Sequence, residues 1–158
     1  MHVLFTIVNE RRFAIDCAEI IEVLPVVSHR PAGTGPAWLL GLINVRGELL
    51  PLVDLSVIVD GKPTQPKLAS RIVVLRLETE LFSSQATKVG LLVPEIAGPV
   101  MRDFDAAGVH AGFAFTGGSH LGPTIADEDG MVQLLRCRRI LEGDAALRQL
   151  PATAWEQP

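Results

Sequence analysis

The chain has 158 residues, of which 48% are hydrophobic, 5% aromatic and 20% charged, and its formal net charge is −4. Such a composition predicts one globular domain with a sizeable core and excludes a chain that is disordered over most of its length. Lys and Arg are scattered singly, no apolar run approaches the ~18 residues of a membrane span, and no signal peptide is recognisable, so we expect a cytoplasmic protein that binds no nucleic acid and does not insert directly into a membrane.

The N-terminal segment predicts a hairpin followed by a short helix. Two runs rich in β-branched and aromatic side chains, at residues 3–8 and 13–16, flank a polar break. Asp16 is a residue type that caps helices, so we expect a helix over residues 17–23 with Ile21 on its buried side. The chain then resumes an extended path before a loop that is rich in Pro and Gly.

The most informative stretch is GLINVRGELLPLVDL at residues 41–55. It holds two apolar runs on either side of a charged turn at residues 46–48, which predicts a tight antiparallel hairpin. The runs are nearly continuous in apolar residues, a pattern typical of strands buried on both faces in a small barrel. Asn44, Arg46 and Asp54 interrupt the pattern. Because a buried polar group costs free energy unless it is paired, each must bond within the protein or face a partner.

The second half repeats this plan after a polar connector. The connector, near residues 61–70, is the predicted boundary between two β subdomains. The strands predicted beyond it lie at residues 71–77, 88–93, 96–101 and 131–135, and the segment 103–130 is the least regular. We therefore expect a single domain over residues 1–142, followed by a short helix and a frayed tail over residues 143–158.

The fold class predicted by these segments is mainly β, with nine or ten short strands in two similar groups and little helix. A pair of small barrels that share one hydrophobic core suits this pattern, because closure removes exposed sheet edges. The side chains expected in that core are Leu50, Leu52, Val73, Leu75, Leu91 and Val93.

The residue types that carry catalysis or bind metals form no recognisable set in this sequence. Cys17 and Cys137 lack a His or Cys at metal-ligand spacing, the four His are isolated, and the Gly-rich segment 117–122 lacks the spacing of a nucleophile elbow. We therefore expect no enzyme, no metal and no cofactor. The alternative that stays open is a small-ligand-binding β-barrel module, with residues 106–124 lining a pocket between the halves.

The motif at residues 41–55 resembles the central motif of the CheW-like domain family, whose form is roughly G-[VL]-[IT]-N-[LV]-R-G-x-[ILV]-[ILV]-P-[LIV]-[LIV]-D-[LM]. The E-V segment at Glu22-Val23 and the strands at residues 71–77 and 89–93 follow in the family's order, so the resemblance covers about residues 3–142. It implies two five-stranded, SH3-like barrels packed around one hydrophobic centre, with short helices.

The resemblance also implies a function in chemosensory signal transduction. Members of the family are non-enzymatic adaptors that bind the regulatory domain of a CheA-type histidine kinase and the cytoplasmic tip of a methyl-accepting chemoreceptor. In the family, the Arg of N-[LV]-R-G and the Glu of the E-V segment lie close together at the partner surface, and here these are Arg46 and Glu22. The other positions that the resemblance places at this surface are Ile20, Val23, Asn44, Val45 and Gly47.

The sequence departs from the family pattern at two places in its second half. Pro94-Glu95 follows the strand at residues 89–93, and Arg136 stands where the family usually has Asp. The pathway is therefore left open between flagellar chemotaxis, a chemosensory array that controls pili, and a second-messenger output.

Overall fold

The computed structural model describes residues 1–77, 87–105 and 120–142. Within these residues the chain is mainly β, with few and short helices. The strands are β1 (His2–Val8), β2 (Arg11–Asp16), β3 (Ile20–Pro25), β4 (Arg30–Pro31), β5 (Leu39–Val45), β6 (Glu48–Asp54), β7 (Arg71–Leu77), β8 (Thr87–Val93), β9 (Ile96–Met101), β10 (Leu121–Asp127) and β11 (Gly130–Leu135). A 3₁₀ turn covers Cys17–Glu19, and the helices are α1 (Leu55–Asp60) and α2 (Cys137–Glu142).

The strands form two sheets. The first sheet has the order β10-β11-β2-β1-β9 and the second has the order β3-β7-β8-β6-β5-β4. Neighbouring strands are antiparallel except β11 with β2 and β6 with β8, which are parallel. The mainly β fold predicted from the sequence, with two groups of strands and few short helices, is confirmed. The second sheet has six strands because the two-residue β4, which was not predicted, is added at its edge.

One hydrophobic cluster lies between the sheets and draws side chains from both, as predicted. Phe13, Ile15 and Leu135 come from the first sheet, whereas Leu75 and Leu91 come from the second. Each sheet also packs a smaller cluster on its other face. The six side chains predicted to be buried are each at most 3% exposed, namely Leu50, Leu52, Val73, Leu75, Leu91 and Val93.

The helix predicted over residues 17–23 is wrong beyond its first turn. Asp16 does cap the 3₁₀ turn, since its Oδ1 accepts a hydrogen bond from Ala18 N at 2.9 Å. From Ile20 onward the chain is instead strand β3, paired antiparallel with β7. The β-branched residues in this segment suit an extended backbone, and pairing with a long buried neighbour overrides a weak local helical pattern.

Besides β4, three elements were not predicted: α1, β10 and α2. Helix α1 begins directly after β6, and α2 follows β11. Strand β10 lies within the segment that we expected to be irregular, where Gly122 and Pro123 interrupt the apolar pattern. Several other predictions fall outside the described residues. The predicted helix and tail at residues 143–158 lie outside the described residues. So does most of the segment 106–124, so the ligand-pocket alternative and the domain boundaries both remain predictions.

Candidate functional site

The predicted hairpin at residues 41–55 is confirmed, and its turn displays Arg46. Strands β5 and β6 are joined by the two residues Arg46 and Gly47, whose φ angles are 51° and 84°. Positive φ at both positions is what a two-residue type I′ hairpin turn requires. Asn44 Oδ1 accepts a hydrogen bond from Gly47 N at 2.8 Å, which holds the turn in this shape. An arginine in this left-handed conformation costs about 1–2 kcal/mol relative to glycine.

Arg46 and Glu22 form the predicted ion pair, with Nη1 of Arg46 2.5 Å from Oε1 of Glu22. Glu22 lies on β3, an edge strand of the second sheet. Two strands, β7 and β8, separate β3 from β6. Strands separated by two others would lie about 14 Å apart in a flat sheet. The sheet therefore curls so that the hairpin turn reaches the edge strand.

The ion pair is exposed on the Arg46 side. The Arg46 side chain is 75% exposed and the Glu22 side chain is 19% exposed. Exposed pairs of this kind contribute roughly 0–1 kcal/mol to stability. That amount does not exceed the cost of the left-handed backbone at Arg46, so the stability of the domain gives no reason for an arginine in this turn.

A second ion pair lies beside the turn, between Lys88 Nζ and Glu48 Oε2 at 2.8 Å. Glu48 is the first residue of β6, directly after Gly47. The hairpin tip therefore presents a charged surface in which most of the Arg46 guanidinium is free to meet an external acceptor.

The apolar residues near Glu22 divide into buried and exposed ones. Ile20 and Val23 were predicted to contact partners, but both are partly buried and pack against the shared core. Ile21 is 44% exposed, contrary to the buried position predicted for it. The register of β3 against β7 shifts between Ile20 and Glu22, which makes Ile21 a bulged residue that points away from the core.

The remaining predicted contact residues shape the turn from within. Val45 is partly buried and packs against the cluster on the outer face of the second sheet, whereas Asn44 bonds to the turn backbone. Gly47 is exposed, and a Cβ atom there would meet no atom within 4 Å, so its φ and not its packing requires glycine. Sequence reasoning missed Ile21, because a bulge leaves no signature in a single sequence.

Asp54, the other polar residue of the motif, has an internal role. It is 1% exposed, caps α1 by accepting a hydrogen bond from Ser56 N at 3.0 Å, and accepts two more from Thr64. These bonds tie the connector after α1 to the end of β6. Asp54 therefore stabilises the junction of β6, α1 and the connector, and it does not belong to the exposed surface.

The described residues contain no cluster that could hold a metal ion, and burial acts on both cysteines. Within residues 1–77, 87–105 and 120–142, no group of three His, Cys, Asp or Glu side chains is placed to hold a metal ion. Burial raises the pKa of the Cys137 thiol well above its usual value, and a lesser burial raises that of Cys17, which keeps both in the unreactive thiol form. In this part of the chain no helix is long and apolar enough to cross a membrane.

Comparisons with known proteins identify relatives of this chain. The profile of the CheW-like domain family matches residues 2–145. A chemotaxis protein CheW from Rhizobium meliloti (strain 1021) is 29% identical over 90 residues, which cover 57% of this chain and 54% of that protein. A probable chemotaxis protein CheW from Rhizobium etli is 32% identical over 84 residues, covering 51% and 50%. The chain thus matches about half the length of these curated relatives.

A solved structure shows the same fold. The crystal structure of the scaffolding protein TtCheW from Thermoanaerobacter tengcongensis superposes with a TM-score of 0.74 at 20% identity, covering 89% of this chain and 92% of that one. A likeness at this identity establishes the fold alone. The family profile covers far more than half of the sequence, and the hairpin motif that first indicated the family is folded as expected. The chain belongs to the CheW-like domain family.

Proposed function

We propose that this chain is a non-enzymatic adaptor that couples chemoreceptors to a CheA-type histidine kinase. Its partners would be the regulatory domain of the kinase and the cytoplasmic tip of the receptor, and it would reach membrane-associated receptor arrays through them. Membership of the CheW-like domain family supports this proposal. So do the names of the curated relatives, which are chemotaxis proteins.

The observation that carries the proposal is the exposed Arg46–Glu22 pair at the hairpin tip. The exposed pair adds little to stability, and the turn that displays Arg46 is conformationally costly. In an interface the same pair would be desolvated, and arginine is among the residue types most often found as interface anchors. Arg46 would thus contribute more free energy to the binding of a partner than it contributes to the stability of the isolated domain.

The proposed contact surface consists of Arg46, Glu22 and Ile21. The bulge aims Ile21 outward beside Glu22, so an apolar contact adjoins a charged one. A mixed patch of this type matches the composition of protein interfaces, which combine apolar anchors with a polar rim. Ile20 and Val23 support the patch from the core side and are expected to affect binding through the position of β3.

The substitution Arg46→Ala tests this surface. Loss of the guanidinium leaves any desolvated acceptor on the partner unpaired, so the dissociation constant should rise tenfold or more for the kinase regulatory domain, the receptor tip or both. The melting temperature should stay nearly unchanged. Surface plasmon resonance with each purified partner measures binding, and a thermal melt reports the fold.

The matched control is Arg139→Ala, which removes an exposed arginine from α2 and leaves the hairpin tip unchanged. It should leave both affinities within twofold of the native values. Full affinity of Arg46→Ala for both partners would remove the main support for the proposal, and a collapse of its melting temperature would show that the residue is structural.

A further inference from the structure

Five charged side chains form a ring around one end of the second sheet. In sheet order this charged ring consists of Glu22 on β3, Arg76 on β7, Lys88 on β8, Glu48 on β6 and Arg46 in the turn between β5 and β6. The sheet curls until the turn meets β3, so the contact of Arg46 with Glu22 closes the ring.

The strand register places Arg76 inside this ring. Val74 lies directly opposite Glu22, and Lys88 lies directly opposite Arg76. Side chains two residues apart on a strand share a face, so Arg76 projects on the same side as Val74, which belongs to the cluster away from the shared core. Directly opposite side chains have Cβ atoms about 5 Å apart. Arg76 is therefore next to Lys88 and diagonally across from Glu22.

Both carboxylates of the ring already have a partner. Glu22 binds Arg46 and Glu48 binds Lys88, at 2.5 and 2.8 Å. Arg76 is exposed, and within residues 1–77, 87–105 and 120–142 it takes part in no salt bridge. The ring thus holds one cation more than it holds carboxylates. Its charges alternate in sign around the ring except between Arg76 and Lys88.

The juxtaposition of Arg76 and Lys88 is unfavourable for the isolated domain, because like charges directly opposite each other destabilise a strand pair. A carboxylate from another molecule, bound between the two cations, would remove this repulsion. The planar guanidinium of arginine can also donate two parallel hydrogen bonds to a carboxylate. Arg76 therefore resembles Arg46 in offering more to a bound acidic group than to the fold.

We propose that the charged ring binds an Asp or Glu side chain of a partner protein, with Arg76 as the main ligand of its carboxylate. The inference rests on the proposed function, because it names the kind of residue that a partner presents beside Arg46. The bound carboxylate lies between Arg76 and Lys88, where it completes the alternation of charge. The whole chain has a formal net charge of −4, so the ring is a local cationic site and not part of a generally basic surface.

Arg76→Glu supplies the missing carboxylate from within the chain and occupies the site. The new side chain can pair with Lys88, so the melting temperature at low salt should stay at the native value or rise. The affinity for the kinase regulatory domain, the receptor tip or both should fall about tenfold in surface plasmon resonance, and about fivefold for Arg76→Ala. The control is Lys67→Ala, which removes an exposed cation near the other end of β7 and should leave both affinities unchanged.

A short acidic peptide tests the ring without either proposed partner. A fluorescein-labelled octapeptide of alternating Glu and Ser would be titrated with the full chain at low salt, and so would the same peptide with Gln in place of Glu. Fluorescence anisotropy should show saturable binding of the Glu peptide to the native chain and to Lys67→Ala. Arg76→Ala and Arg76→Glu should bind it about threefold or more weakly, and the Gln peptide should not bind.

The two experiments separate this inference from the proposed function. If the partners bind through Arg46 but the Arg76 variants keep native affinity, or if the Glu peptide does not bind through Arg76, the inference is wrong and the proposed function stands. If the native chain binds neither partner, the proposed function is wrong and the peptide alone decides whether the ring selects a carboxylate. A lower melting temperature of Arg76→Glu would show that Arg76 serves the fold, which would also overturn the inference.

Discussion

Arg12 and Asp127 form a two-pronged ion pair that joins β2 to β10 across the strand between them, β11. Arg102, which follows β9, approaches the same carboxylate at 3.4 Å, and both guanidinium groups lie over the Phe5 ring, at 4.7 and 5.3 Å. The Asp127 carboxylate, at one edge of the first sheet, therefore interacts with Arg12 on β2 and with Arg102 at the opposite edge.

This arrangement predicts an acid-sensitive domain. The pKa of Asp127 is lowered from 3.8 to about 2, mainly by the hydrogen bond from Arg12. A carboxyl group with a lowered folded-state pKa stabilises the fold fully above pH ~4, and the contribution is lost as the pH falls towards 2. Its size is at most about 2 kcal/mol, because water reaches the edge of the pair.

Asp127→Asn should remove this pH dependence. Urea unfolding between pH 2 and pH 6 should show a smaller loss of stability on the acid side for the variant than for the native chain. Asp129→Asn is the control, because it changes an exposed carboxylate two residues away that makes no salt bridge among the described residues. If the native chain and Asp127→Asn lose the same stability between pH 6 and pH 2, Asp127 is not the group responsible for the pH dependence.

The cluster on the outer face of the second sheet predicts a large difference between two leucines. Leu52→Ala removes a side chain that is 1% exposed and should lower the free energy of unfolding by about 2–5 kcal/mol. Leu68→Ala removes one that is 98% exposed and should change it by less than about 0.5 kcal/mol. Urea denaturation at neutral pH measures both. Similar losses for the two variants would contradict the packing described for the second sheet.

Gly41 of the hairpin motif is required by the approach of β4. Its φ is 151°, and a Cβ atom at this position would lie 1.8 Å from Arg30 O. Gly41→Ala should therefore displace β4 from the edge of the sheet and destabilise the domain by roughly 1–3 kcal/mol. Exchange of the Ala32 backbone amide, which donates to Leu40 O, should accelerate in the variant, and unchanged exchange there would show that β4 does not pack as described.

The left-handed backbone conformation at Arg46 predicts that substitutions of this residue affect the stability of the domain and its binding to partners differently. Asn tolerates this conformation better than Arg, so Arg46→Asn should leave the free energy of unfolding unchanged or raise it by up to about 1 kcal/mol. Arg46→Val should lower it by about 1 kcal/mol or more, because β-branched residues fit the conformation poorly. Both variants should bind the proposed partners weakly. A destabilised Arg46→Asn variant would mean that the ion pair with Glu22 matters more for folding than we infer.

Local patterns in the sequence predicted much of the fold. The hairpin at residues 41–55, the strands β7, β8, β9 and β11 and the buried leucines all follow from apolar runs and turn residues. The pairing of Arg46 with Glu22 came from the family resemblance. These features depend on residues that are close in the chain or on a motif that is already known.

Features that depend on distant pairing were not predictable. Strand β3 owes its conformation to β7, which lies about 50 residues later, and the bulge at Ile21 follows from that register. The Arg12–Asp127 pair joins residues 115 apart. Single-sequence patterns carry no information on such tertiary relations.

The charge exchange Arg46→Glu/Glu22→Arg tests the central claim most directly. The exchanged pair restores the attraction within the domain but reverses both charges that face a partner. We predict that the double variant keeps the native melting temperature while its affinity for the kinase regulatory domain, the receptor tip or both falls by tenfold or more in surface plasmon resonance. Native affinity of the double variant for both partners would show that the pair serves only the fold and would contradict the proposed interface.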